Sequence, residues 1–228
     1  MMSRIAGPLL VVVWLLAGIA QAAAPTATSD LSPRSLVEAA HRAAQSLDSY
    51  TFRLTSVTRH RRANGHYQTE KKNVLTYTFR KPNRIRLEWL KPRRKRGQLA
   101  VYNGTTLRAA PSWLPFAVKV DPDSPTGRDD FHHPIYRSDL ASLMNIVLQD
   151  MALVTEESYE GQVTVGKRQA HQVVLHTKEK RVVLAIDTEN LLPLAIEQYD
   201  RDSGFLVDGG YFEQLEPNPP LADSLFRL

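Results

Sequence analysis

The chain has 228 residues, 29 lysines and arginines against 24 aspartates and glutamates, and no cysteine. It is long enough for one domain with a sizeable core, and it excludes disulfides, a cysteine nucleophile and a cysteine-anchored lipoprotein. The formal charge of +5 has a local origin: between Arg80 and Arg96 nine basic residues stand against one acid, Glu88.

Met1–Ser3 and Arg4 lead into an apolar run from Leu9 to Ala20, followed by Ala20-Gln21-Ala22. That order is a positive n-region, a short h-region and a small-x-small cleavage site, so residues 1–22 read as a secretory signal cut after Ala22. An uncleaved membrane anchor is the alternative. No later stretch approaches the roughly 20 apolar residues of a spanning helix, so the exported remainder is expected to be soluble or at most peripheral. Residues 23–32 form a flexible leader rich in small residues. Ser32-Pro33 then supplies an N-cap and a first-turn proline. Leu36, Ala39, Ala40, Ala43 and Leu47 recur at helical spacing, which predicts a helix over 33–47 whose slim alanine face suits close packing against a sheet.

From Tyr50 the period becomes two. Tyr50, Phe52 and Leu54 alternate with polar residues, Ala63-Asn64-Gly65-His66 marks a hairpin turn, and Tyr67–Phe79 returns as a strand. In Asn83–Leu90, Ile85, Leu87 and Trp89 face one way, with Arg84, Arg86 and Glu88 on the other side. Shorter strands are predicted at Leu99–Tyr102, Thr105–Ala109 and Pro115–Val120, with Asn103-Gly104 as a tight turn. The loop Asp121–Pro134 carries His132-His133 and leads into a helix over Ser138–Met151, with Asp139 placed to suit its dipole. Strands resume at Gln162–Val165, Gln169–His176, Val182–Asp187, Leu194–Tyr199 and Gly204–Leu215.

This order gives a mainly β (α+β) fold, 33–220, followed by a tail, 221–228. An antiparallel sheet of this size must curl, and curling around two helices makes a half-open β-barrel with helices packed in or over its concave face. The concave face is expected to carry Phe52, Leu54, Leu75, Tyr77, Phe79, Ile85, Leu87, Trp89, Leu99 and Val101. The lid helix would present Leu140, Leu143, Met144, Val147, Leu148 and Met151. Patterning alone also fits an ordinary packed core.

Catalytic signals are sparse. None of the seven histidines forms a His-x-x-x-His pair, and His132-His133 would point apart on an extended backbone. There is no Gly-x-Ser-x-Gly elbow and no glycine-rich phosphate loop. Glu70, Glu88, Asp187 and Glu197 offer carboxylates, but no spacing singles out a pair. No catalytic residue, metal or cofactor is expected. The basic residues Arg80, Arg84, Arg86, Arg93, Arg94, Lys95 and Arg96 suit an anionic membrane surface or an acidic envelope protein, and Arg93–Arg96 alternatively form a solvated hairpin turn. Nucleic acid is not expected, because no nucleic-acid-reading motif accompanies them.

The stretch Tyr77-Thr78-Phe79-Arg80-Lys81-Pro82-Asn83-Arg84-Ile85-Arg86-Leu87-Glu88-Trp89-Leu90-Lys91-Pro92, then Gly97 and Ala100-Val101-Tyr102-Asn103-Gly104, resembles the outer-membrane lipoprotein carrier (LolA/LolB-like) superfamily of bacterial envelopes. Ile186-Asp187, Leu192-Pro193, Asp200, Phe212 and Pro217-Asn218 are similar to its C-terminal half. Val120–Pro125 and His133-Pro134-Ile135 look closest to an uncharacterised periplasmic subfamily. The resemblance implies a soluble periplasmic carrier for acyl chains of lipid or lipoprotein, held inside the half-barrel under a helical lid; the oligomeric state stays open, with a monomer favoured. Its alternative is a non-catalytic sensory or protein-interaction domain of the same fold. The receptor-type relatives are themselves lipoproteins, and this chain has no cysteine to acylate.

Overall fold

The computed structural model describes residues 31–61, 67–129 and 132–228; the signal segment, nearly all of the leader and the 63–66 turn lie outside the described residues. Helix α1 (Pro33–Ser46) is followed by β1 (Ser49–Arg61), β2 (Tyr67–Arg80), β3 (Arg84–Lys91), β4 (Leu99–Tyr102), β5 (Leu107–Ala110) and β6 (Val118–Val120). Helix α2 (Leu140–Asp150) then separates these from β7 (Glu156–Val165), β8 (Arg168–His176), β9 (Lys180–Asp187), β10 (Pro193–Asp200) and β11 (Leu206–Pro217). The strands form one antiparallel sheet in the order β6-β5-β4-β3-β2-β1-β11-β10-β9-β8-β7. Two meanders are thus joined where β1 pairs with β11, and β6 and β7 remain as edges, so the curled sheet stays a half-open barrel.

Register explains the inner face. Tyr50 lies opposite Phe79, Phe52 opposite Tyr77 and Leu54 opposite Leu75, so their side chains share one side of the sheet. The rings stack: Tyr50 on Phe79 and Phe52 on Tyr77 both have centroids 4.8 Å apart, and Phe212 meets Phe52 edge-on at 5.2 Å. On the other meander Val173 pairs with Leu184 and Leu175 with Val182, which extends the apolar floor. Both helices join these residues in a single buried cluster.

Each helix starts as its sequence dictates. Ser32 Oγ accepts from Ser35 N at 3.1 Å, and Asp139 Oδ1 accepts from Ser142 N at 3.0 Å, so both N-termini are capped. Two hydroxyls from the aromatic floor then fix the entry to α2. Leu140 N donates to Tyr50 Oη at 2.7 Å in a buried bond, and Tyr77 Oη lies 3.0 Å from Ser138 Oγ. Burial raises both phenols well above the ordinary tyrosine range, so both keep their protons wherever the fold persists.

Two expectations change. The alanine face of α1 serves mainly a helix neighbour: α1 packs chiefly on α2 and only touches β7 and β8. Small residues suit that close helix approach as well as they suit a sheet. Strand β7 begins at Glu156, before the predicted Gln162, because an edge strand with exposed Glu156, Glu157 and Glu160 lacks the apolar alternation that marks a half-buried one.

Tyr50→Phe removes the acceptor of a buried helix-start N–H and should cost about 1–3 kcal/mol. Urea unfolding should show a lower midpoint with an unchanged slope.

Candidate ligand slot and docking surfaces

The inner face is largely filled. Phe52, Leu54, Leu75, Tyr77, Leu87 and Trp89 line a void of only about 40 Å3, which Leu143, Phe212, Arg128, Asp129 and Ser138 close. Phe79 and Ile85 are buried in the core beside it. A larger void, about 180 Å3, lies over the other meander, between α2 and strands β8–β11. Its walls include Leu143, Ile146, Val147, Leu175, Val182 and Ile196. None of the ten expected cavity residues comes from β8–β11. Those strands alternate clearly, but their periodicity does not say where a gap remains.

Leu143 lines both voids, so its side chain stands between them. Of the predicted lid residues, Leu140, Leu143, Met144, Val147 and Met151 are buried, while Leu148 packs partly buried against the same cluster. Polar groups gather around the larger void. Lys180 Nζ bonds Asp150 Oδ2 at 2.7 Å, linking the last residue of α2 to β9, with each side chain about one-third exposed. His133, Thr177, Gln198 and Asp208 also line it, and Asp208 Oδ1 is buried without a hydrogen-bond partner among the described residues.

Leu99 and Val101 do not face this interior. Leu99 pairs with Glu88 and Val101 with Arg86, which places both on the outer side; Ala100 and Tyr102, opposite Leu87 and Ile85, point inward instead. A one-residue phase change moves every side chain of a strand to the other face, and the turn before β4 sets that phase.

The basic stretch divides into two parts. Arg80, Arg84 and Arg86 are engaged by the C-terminal tail, whose residues Asp223–Phe226 form a 3-10 turn against β3. Arg80 pairs with the Asp223 carboxylate, donates to Leu221 O at 2.9 Å and lies over the buried Phe226 ring. Arg84 reaches Asp223 at 3.2 Å, and Arg86 donates to Leu225 O at 3.2 Å. These three are therefore tied to the protein's own tail, where the sequence reading expected an open docking surface. The tail has no periodicity to announce this role. Arg93, Arg94 and Lys95 form a 3-10 turn after β3, with Arg93, Arg94 and Arg96 exposed. Lys95 folds back over the Trp89 ring, 5.7 Å from its centroid.

The outer face of β8–β11 carries a broad, open depression of about 900 Å3, floored in part by Val183, Ala185 and Ala195. Glu197 accepts hydrogen bonds there from Tyr199 and Tyr211. Desolvation and then that carboxylate push the Tyr199 phenol up to about 12 and Tyr211 higher still, so both remain donors to Glu197. Among the described residues no three His, Asp or Glu side chains converge as a metal site. His132 has a left-handed backbone, φ 66°, and not the extended one expected; His133 Nδ1 lies 3.7 Å from Asp129.

No protein family matches the chain, and no curated protein matches it in sequence. Solved structures do match in fold. The MucA/MucB complex of Pseudomonas aeruginosa aligns over 86% of this chain and 60% of that one, with 14% identity and a TM-score of 0.53. The Mycobacterium tuberculosis lipoprotein LppX aligns over 85% and 99%, with 9% identity and a TM-score of 0.54. An uncharacterized conserved protein of Thermus thermophilus aligns over 86% and 92%, at 11% identity and a TM-score of 0.52. This chain spans 58–62% of the MucB-type chains it matches. These structures share with the chain the fold that the sequence pattern predicted, a curled, half-open antiparallel sheet with helices against its inner face.

Asp223 is held below the usual carboxylate range, first by its hydrogen bond from Arg80, then by that guanidinium's charge, with Arg84 adding to it. A carboxyl depressed in the folded state contributes above its unfolded pKa and loses that contribution as pH falls through the folded value. The tail should therefore stay docked above a pH of about 4 and loosen in stronger acid. Amide exchange of residues 221–228 should show this, and Asp223→Asn should loosen the tail at neutral pH and remove the acid step.

Proposed function

We propose that this chain is a soluble periplasmic, non-catalytic binding protein that takes an acyl chain of a lipid or lipoprotein between α2 and the sheet. The observation that carries this reading is the pair of voids on either side of Leu143, the smaller mainly apolar and the larger walled by apolar side chains interspersed with polar ones. An apolar cavity of about 150 Å3 holds a benzene-sized guest. The larger void, at about 180 Å3, thus suits the first half-dozen carbons of a chain. Admitting more requires the Leu143 side chain to turn away, which runs the two voids together.

The attachment of α2 suits such opening. Its first turn is fixed by hydrogen bonds to the aromatic floor, whereas Asp150 at its last turn is held by an ion pair to Lys180 whose side chains are each about one-third exposed. Surface ion pairs are worth about 0–1 kcal/mol, so lifting that end is resisted chiefly by the burial of Val147 and Met151. Each buried CH2 contributes about 0.8 kcal/mol, so ten of them supply about 8 kcal/mol against that cost and the repacking of Leu143.

The second reading, a sensory or protein-interaction domain with a vestigial cavity, is favoured by the packing of the first meander, where only about 40 Å3 is left. The MucA/MucB structure is itself a complex of two proteins.

Protein purified from its native envelope and extracted for mass analysis should release lipid or lipoprotein. Leu143→Trp, which fills the junction, should weaken displacement of a fluorescent fatty acid at least about tenfold, whereas Leu143→Ala should preserve or tighten it while costing about 2–5 kcal/mol of stability. Absence of extracted cargo together with no probe binding by any of the three proteins, all folded by circular dichroism, favours the interaction reading and rejects the carrier.

A further inference from the structure

The sequence predicts a strand over Pro115–Val120. The structure starts β6 only at Val118, and the connection from β5 leaves Trp113 77% and Phe116 61% exposed. Two large aromatics presented within four residues are a costly surface unless something apolar receives them. Their surroundings indicate what that is. Leu114 N bonds Pro111 O, making a tight turn, and Ser112 Oγ donates to Arg94 O at 3.4 Å. The aromatic tip therefore adjoins the turn that carries exposed Arg93, Arg94 and Arg96. Beside that turn, Arg53, Lys91, Arg93 and Arg96 border an open groove of about 680 Å3 in which Glu213 is the one acid among the described residues.

The geometry points to a membrane-docking edge: Trp113 and Phe116 enter the headgroup–acyl boundary of an anionic phospholipid surface, and Arg93, Arg94, Arg96 and Lys91 meet its phosphates. Tryptophan and phenylalanine settle at that depth because one face of the boundary is apolar and the other wet. Juxtaposed cations are attracted by the surface potential of anionic lipid. An acidic protein would satisfy the arginines but would not by itself call for two exposed rings, so the membrane explains both observations. Arg80, Arg84 and Arg86 take no part, since the tail holds them. The edge lies outside the slot beneath α2 and holds whether or not that slot takes an acyl chain.

The test uses residues 31–228, the compact unit that carries the whole core, so that the apolar run Leu9–Ala20 cannot itself enter a bilayer. Sedimentation with vesicles of phosphatidylglycerol and phosphatidylcholine in equal parts should pull the protein down, and pure phosphatidylcholine vesicles should do so at least about tenfold less. Vesicles should shift tryptophan emission to the blue, and Trp113→Ala should abolish the shift while Trp89 remains as an internal control. Trp113→Ala and Phe116→Ala should each weaken partition about tenfold, and reversing Arg93, Arg94 and Arg96 to glutamate about fivefold or more per residue. All these positions are exposed, so circular dichroism should be unchanged. Failure to bind the mixed vesicles, or binding indifferent to Trp113 and Phe116, overturns the proposal. Binding to polyglutamate with no emission shift on vesicles overturns it in favour of an acidic protein.

Discussion

The four rings of Tyr50, Phe52, Tyr77 and Phe79, stacked across the centre of the sheet, impose the condition that the remaining architecture meets. They sit on adjacent strands in direct register, so they form one continuous apolar floor, and a curled sheet turns that floor toward its own hollow. Water must be kept off it. Helix α2 does this, and two of the same rings supply the hydroxyls that place its first turn. Cover and floor are thus specified together by residues distant in sequence. An eleven-residue helix is too short to cover both meanders uniformly, which is why space remains on either side of Leu143.

What the sequence discloses follows from how local the signal is. Alternation and turn residues identify most strands, and capping residues with helical spacing identify both helices, since each depends on a few neighbouring positions. Alternation reports that neighbours differ in face but not which face is inner. Ile85 and Leu87 carry their phase in the flanking arginines, whereas Leu99 and Val101, in a four-residue strand of apolar residues, do not. Trp113 and Phe116 are missed for a related reason: a short apolar run next to proline reads as a strand, and only the tertiary setting leaves it outside the core. The tail is missed because Asp223 and Phe226 acquire meaning only through arginines well over a hundred residues earlier.

Local geometry also divides one basic stretch into two. On β3, arginines alternate with core residues, so their side chains leave the outer face as a regular row that a short segment with one carboxylate and one ring can cap. After Pro92 the chain turns, the row ends, and the next arginines spread toward solvent. Composition treats these as a single patch. Backbone geometry assigns them to intramolecular closure and to the outside.

A barrel left half open has two edge strands, and unpaired edges invite other chains to add to the sheet. Here β6 is three residues long. Along β7, Glu156, Glu157 and Glu160 put negative charge on the edge, and the irregular register between Tyr159 and Gln162, with Gly161 at φ 89°, bends the strand. An incoming strand would meet a landing too short at one end and a crooked, repelling rail at the other. The mouth of the barrel can therefore stay open in a crowded compartment while its rims resist polymerisation.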